Sequence, residues 1–168
     1  MENDNREAVE VSDHKTLLLF SDDLDKVLAA FVIANGAAAM DSNVTIFFAF
    51  WGINVVRKNG NFTVVKKDML SKMFGWMMPK GSGSLTLSKM HLLGAGTAMM
   101  KYVMRKKHVK MVPELIAEAR DAGVRFVACT MSMDIMGIER DELLENVELG
   151  GVASFLDAAE KANVNLFI

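Results

Sequence analysis

The chain has a single cysteine in 168 residues. No disulfide can form within it, and one cysteine with three scattered histidines lacks the ligand spacing of a structural zinc site. Such cysteine usage suits a reducing compartment, and a cytoplasmic protein is expected. Charge of one sign is also lacking. The net charge is −2, so no global basic field argues for nucleic acid. Long hydrophobic runs are missing too. The longest, Val44 to Val56, is interrupted by Gly52 and Asn54, and it falls short of the roughly 20 residues that cross a bilayer. The first fourteen residues are polar and acidic, unlike a secretory signal. Proline occurs only twice. No Ser-His-Asp elbow appears.

Apolar residues and methionine are abundant. Hydrophobic residues make up 51% of the chain and charged residues 24%, enough to bury the core of one domain. Fourteen methionines give flexible, polarisable material for irregular cores and adaptable surfaces. Several fall at Met69, Met73, Met77, Met78, Met90, Met99, Met100 and Met104, a pattern that hints at an interface or docking surface.

Residues 1–14 are expected to form a mobile tail, and residues 15–168 a single domain with an insertion at about 54–90. Lys15 to Phe20 reads as a central strand. Ser21-Asp22-Asp23 supplies helix-capping chemistry, and Leu24, Val27, Leu28, Phe31 and Val32 follow at helical spacing as one buried face. Asp41-Ser42-Asn43 ends that helix, and Val44 to Phe50 is a second apolar strand. In the insertion, Asn59-Gly60-Asn61 signals the turn of a small hairpin flanked by 54–58 and 62–65. A short helix from Asp68 to about Phe74 and a flexible loop over 79–88 complete it. A helix from Ala98 to Lys107 is expected next, then one opened by Pro113 and closed by Gly123. Val124 to Cys129 is a buried strand and Glu139 to Glu145 a short acidic helix. Val147-Glu148-Leu149 is a short strand. Val152, Phe155, Leu156 and Ala159 mark the buried face of a last helix before a strand at Val164 to Ile168. This alternation predicts an α/β fold, a three-layer α/β/α sandwich around a mostly parallel, Rossmann-like five-stranded sheet.

Cys129 ends a strand just before a polar segment that opens into a helix, where free backbone N–H groups favour an anion. A lone cysteine also serves commonly as a small buried hydrophobe. In a parallel sheet, ligands gather beyond the carboxyl ends of the strands. Loops 21–23, 51–54 and 130–137 should therefore converge near Cys129. Ser21, Asp22, Thr130, Met131 and Ser132 are candidates to orient a substrate there, with helix capping as the alternative for Ser21 and Asp22. Gly94 and Gly96 form a Gly-x-Gly turn that can cradle an anion or serve close packing; the third glycine of a dinucleotide fingerprint is absent. Lys101, Arg105, Lys106, Lys107, His108 and Lys110 form a basic run. It reads as a solvated face, or as a dock for an acidic partner or for peripheral association with an anionic membrane. Three readings follow from the residues: a reactive-thiol protein, a non-catalytic binding or assembly protein with a Met-rich surface, or a nucleotide- or flavin-binding domain.

The segment Val127-Ala128-Cys129-Thr130-Met131-Ser132-Met133-Asp134-Ile135-Met136-Gly137 resembles the signature of the DsrE/DsrF-like family, in its second DsrE subgroup. Lys72-Met73-Phe74-Gly75-Trp76-Met77-Met78-Pro79 is similar to a second block. Leu87-Ser88-Lys89-Met90 with Gly94 to Lys101 is similar to a third. Gly150-Gly151-Val152-Ala153 and Asn165-Leu166-Phe167-Ile168 also fit, so the resemblance covers about residues 15–168. It implies a homo-oligomer and a sulfurtransferase or sulfur-carrier function without a cofactor. Cys129 would accept sulfane sulfur as a persulfide, or thiosulfate, and pass it to a partner thiol. Rhodanese-type and TusA-type sulfur carriers are the partners the resemblance implies.

Overall fold

The computed structural model describes residues 13–59, 81–89 and 94–168. Five strands form one all-parallel sheet: β1 (His14–Leu19), β2 (Asn43–Phe48), β3 (Arg125–Cys129), β4 (Val147–Gly150) and β5 (Val164–Phe167). Their spatial order is β4-β3-β2-β1-β5. The helices are α1 (Leu24–Ala38), α2 (Ala95–Lys106), α3 (Val112–Asp121), α4 (Thr130–Met136) and α5 (Val152–Glu160). The expected α/β architecture is present, and every strand pairing is parallel.

Strand alternation divides the sheet into two unlike faces. One carries Leu17, Leu19, Val44, Ile46, Phe48, Phe126 and Ala128, packed under α1, α3 and α4 in the main core. Phe31 of α1 meets Phe48 and Phe126 there, with ring centroids 6.4 and 5.8 Å apart. We call this the covered face.

Among the described residues the opposite, thin face is spanned by α5 alone, because β4 and β5 lie at opposite edges and α5 joins them. Register sorts this face into rows. Asn165, Thr16, Thr45 and Arg125 lie side by side, and the next row toward the carboxyl ends is Phe167, Leu18, Phe47 and Val127. The polar row ties down the end of α5: Thr16 Oγ1 donates to the Ala158 carbonyl and Asn165 Nδ2 to that of Ala159. Arg125 forms a two-pronged ion pair with Glu148 at its edge. The apolar row is left to Phe155 of α5 and to the loops.

Several local expectations give way to packing. In α1 the buried face is Leu24, Val27, Ala30, Phe31 and Ala34, whereas Val32 is 58% exposed. Small Ala30 and Ala34 let the helix lie close to its neighbours, so the buried stripe shifts away from Val32. The last helix buries only Ala158 fully, leaving Val152 and Leu156 exposed. With no second helix beside it among the described residues, half its apolar stripe is left exposed.

The expected helix at 139–145 is a single 3-10 turn, Arg140–Glu142. The chain then runs extended because Leu143 bridges Arg57 and the Leu144 N–H donates to the Val56 carbonyl. Residues 54–56, expected as a strand, belong to a 3-10 segment over Phe50–Val56. The 81–89 segment, expected as a flexible loop, inserts Leu85 into the core. The Leu24 N–H donates to the Thr86 carbonyl at 2.7 Å, and Ser88 bonds Asp25. The hairpin beyond Asn59, the helix at 68–74 and the methionines at 69–78 and 90 lie outside the described residues.

Candidate functional site

β3 ends at Cys129, and α4 begins at Thr130 with no intervening turn. Cys129 therefore stands at the carboxyl edge of the sheet and immediately precedes a helix, the position expected from its sequence. Its alternation partner on β3 is Val127, so its side chain belongs to the thin face, beside Phe47, Ala49 and Val127. The residue is 7% exposed.

Cys129 lines a cleft of about 300 Å³. One wall is an aromatic trio: Phe20 sits 5.2 Å from Phe50 and stacks on Phe167 at 5.8 Å. Opposite, Phe47 meets Phe155 of α5 at 5.5 Å. Leu18, Ala49 and Ser132 also line it, with exposed Met131 and Val152. The apolar row of the thin face and the single covering helix thus make the cleft together.

The chain leaving β2 is shaped to build this wall. Phe50 has φ +46, a left-handed conformation that is an outlier for a bulky residue. The turn is held by Ala49 N–H to the Leu19 carbonyl and Gly52 N–H to the Phe20 carbonyl, both 3.0 Å. A Cβ at Gly52 would overlap the Leu19 carbonyl oxygen, so this close approach requires glycine.

Beneath the turn lies a buried polar chain. Asn54 donates to Asp22 at 3.0 Å, and Arg57 donates to Asn54 at 3.2 Å and to Glu142 at 2.5 Å. Arg57 and Glu142 are each 2% exposed. Burial raises the Asp22 carboxyl above its ordinary value of 3.8, opposed by the Asn54 hydrogen bond. Sequence reading missed the Arg57–Glu142 pair, whose members are 85 residues apart and carry no local signal.

The expected site residues separate. Cys129, Met131 and Ser132 share the cleft. Thr130 is exposed, and its hydroxyl donates to the Gly150 carbonyl at 3.4 Å. Ser21 is occupied locally: its hydroxyl donates to Asp23 Oδ2 and accepts the Asp23 N–H. Asp22 turns to Asn54 instead of the cleft. Gly96 lines a different cavity of about 390 Å³, with Leu87, Met99, Met100 and Val103. Gly94, at φ +95, precedes α2. The phenylalanines were the unrecognised part of the site. Strand alternation offered the signal for Phe47 on β2, which shares a sheet face with Thr45.

Ser132 is fully buried, and its Oγ has no hydrogen-bond partner among the described residues. A buried hydroxyl left unpaired costs roughly 1–3 kcal/mol. No cluster of His, Cys, Asp or Glu suited to a metal occurs among the described residues. Nor is any described helix long and apolar enough to cross a membrane.

The fold and this cleft define an all-parallel α/β domain that presents one cysteine at a strand-end cleft. The chain belongs to the DsrE/DsrF/DrsH-like family, which it matches over residues 12–167. It is 52% identical over 153 residues to the protein YrkE of Bacillus subtilis, covering 91% of this chain and 95% of that one. It is 31% identical over 145 residues to a protein of Allochromatium vinosum named sulfur carrier protein DsrE2, covering 86% and 91%. Two solved structures share the fold. MTH1491 of Methanobacterium thermoautotrophicum has a TM-score of 0.54 at 17% identity, covering 92% of this chain and 98% of its own. The ychN protein of E. coli has a TM-score of 0.53 at 9% identity, covering 92% and 99%.

Proposed function

We propose that this chain is a sulfur-relay protein that carries sulfane sulfur on Cys129. Its family membership and its 31% identity to a protein named as a sulfur carrier support a sulfur-relay role. The observation that carries the assignment to a residue is the place of Cys129, at a strand end, inside the cleft, in a chain with no other thiol. In the proposed step the Cys129 thiolate attacks the outer sulfur of a donor persulfide. A new bond to Sγ forms, the donor's S–S bond breaks, and the donor leaves as a thiolate. An acceptor thiolate then attacks the same outer sulfur and restores Cys129. With one cysteine per chain, donor and acceptor are other molecules or other subunits, and carriers of rhodanese or TusA type fit that need.

The expected homo-oligomer belongs to the same proposal, and sedimentation equilibrium of the reduced protein checks it. The assignment of Cys129 is tested by intact-mass spectra of reduced wild type and Cys129→Ser after exposure to a persulfide donor and, separately, to thiosulfate. A sulfur adduct that dithiothreitol removes, present in wild type and absent from a folded variant, is the expected result. Equal loading of the two proteins sinks the assignment. No loading of a folded, alkylatable wild type turns the reading toward a binding or assembly role.

A further inference from the structure

Resting on the carrier reading above, we infer that the Cys129 cleft selects its sulfur donor by charge. It takes sulfane sulfur from a group that is uncharged around the transferred atom, rejects free thiosulfate, and meets the incoming sulfur with the Ser132 hydroxyl. Two observations carry this. The first is the composition of the cleft: among the described residues that line it none is charged, and Ser132 supplies the only side-chain oxygen or nitrogen. The second is the state of that oxygen. Ser132 is fully buried and its Oγ has no partner among the described residues, so a hydroxyl of a residue lining the same cleft as the thiol keeps its bonding capacity unused there. Cys129 immediately precedes α4 and Ser132 is the third residue of that helix, and both line the cleft.

Thiosulfate reaches a thiol with its sulfonate one bond behind the sulfur to be transferred. Seating that sulfur on Cys129 would bring the sulfonate among the rings of Phe20, Phe47 and Phe155. Charge moved from water into such surroundings is costly unless paired or hydrogen-bonded. Aromatic faces are themselves electron-rich. Sites built for oxyanions supply guanidinium groups or converging N–H donors, and one hydroxyl does not replace the hydration of a dianion.

A persulfide R–S–S–H with an apolar R brings no such charge. When the Cys129 thiolate attacks the outer sulfur, the Sγ–S bond forms and the donor S–S bond breaks. The electron pair goes to R–S⁻, which takes a proton from solvent. The transferred sulfur keeps its hydrogen, and no outside oxidant or reductant enters. The Ser132 hydroxyl donates to that sulfur as it arrives.

The test loads the reduced full-length protein with benzyl hydropersulfide or with thiosulfate and follows the mass gain at Cys129. Each rate is divided by that of free cysteine with the same donor, which removes intrinsic reactivity. The normalised persulfide rate should exceed the thiosulfate rate at least tenfold. Val152→Lys, which places a cation at an exposed residue lining the cleft, should shift that ratio toward thiosulfate at least fivefold. Ser132→Ala should slow persulfide loading about tenfold without lowering the melting temperature, because it removes an unpaired hydroxyl from the interior. A purely structural serine would leave the loading rate unmoved.

Normalised thiosulfate loading equal to or faster than persulfide loading overturns the selectivity and leaves the carrier reading intact. Unchanged loading in Ser132→Ala overturns the role of the hydroxyl. No adduct from either donor on a folded, alkylatable protein overturns both this inference and the carrier reading.

Discussion

The two faces of the sheet are built from the same strands and end in different uses. The covered face places Phe48, Ile46, Leu17 and Leu19 under α1, α3 and α4, each at most 1% exposed. Among the described residues the thin face has one nine-residue helix across five strands. There Phe167 is 72% exposed and Phe20 37%. Close packing on one side supplies the stability that allows an apolar cleft to stay open on the other. A side chain on the covered face is sealed, whereas Cys129 on the thin face is buried yet lines a cleft.

The largest test of this contrast is Phe48→Ala. Its ring is wholly buried and meets Phe31 and Phe126, so the truncation should cost roughly 3–5 kcal/mol in denaturant unfolding. A loss near 1 kcal/mol would mean that the covered face is not the stabilising one. Next is Glu142→Gln, which leaves the buried Arg57 charge uncompensated. Removing one partner of such a pair costs about 3 kcal/mol or more, again read from denaturant melts. Stability close to wild type would show that water reaches Arg57.

On the thin face the same kind of change should matter less. Phe155 is half-buried, and Phe155→Ala should cost about 1–2 kcal/mol. It opens the cleft wall opposite Phe20, so Cys129 alkylation should quicken several-fold. Slower alkylation would show that the ring does not screen the thiol.

The smallest effects are in pH dependence, and their signs oppose. Burial raises the Asp22 carboxyl, so the folded chain holds that proton more tightly than the unfolded chain. Its contribution is present below the unfolded value and is lost as pH rises through the folded one. Asp22→Asn should therefore gain stability relative to wild type as pH rises from 3 to 7. Glu148 is lowered by its hydrogen bonds to Arg125. Its contribution is present above the unfolded value and is lost as pH falls through the folded one. Glu148→Gln should lose most relative to wild type near pH 7. Thermal melts across that range check both, and slopes of the same sign would remove the distinction.

Periodicity made the covered face readable. Strands buried on both sides appear as continuous apolar runs, and β1, β2 and β3 were legible for that reason. Cys129 at a strand end was legible because Phe126 to Ala128 is apolar and the segment from Thr130 onward is interrupted by polar residues. Helix faces were less so. The exposure of Val32 in α1 and of Leu156 in α5 depends on which neighbours arrive, and hydrophobicity along one helix does not carry that information.

The sequence by itself determined the alternation of strands and helices, the parallel sheet it implies, and the placing of the single thiol where a strand meets a helix. These depend on local patterns of apolar residues, which act over a few residues. Tertiary structure alone decided that one face carries a single helix among the described residues, that Phe20, Phe50 and Phe167 gather into one wall, and that Arg57 meets Glu142. It also decided that the Ser132 hydroxyl is buried at the thiol's cleft without a partner among the described residues. Each of these depends on strand order and on contacts between distant segments, and burial is a property of the assembled chain.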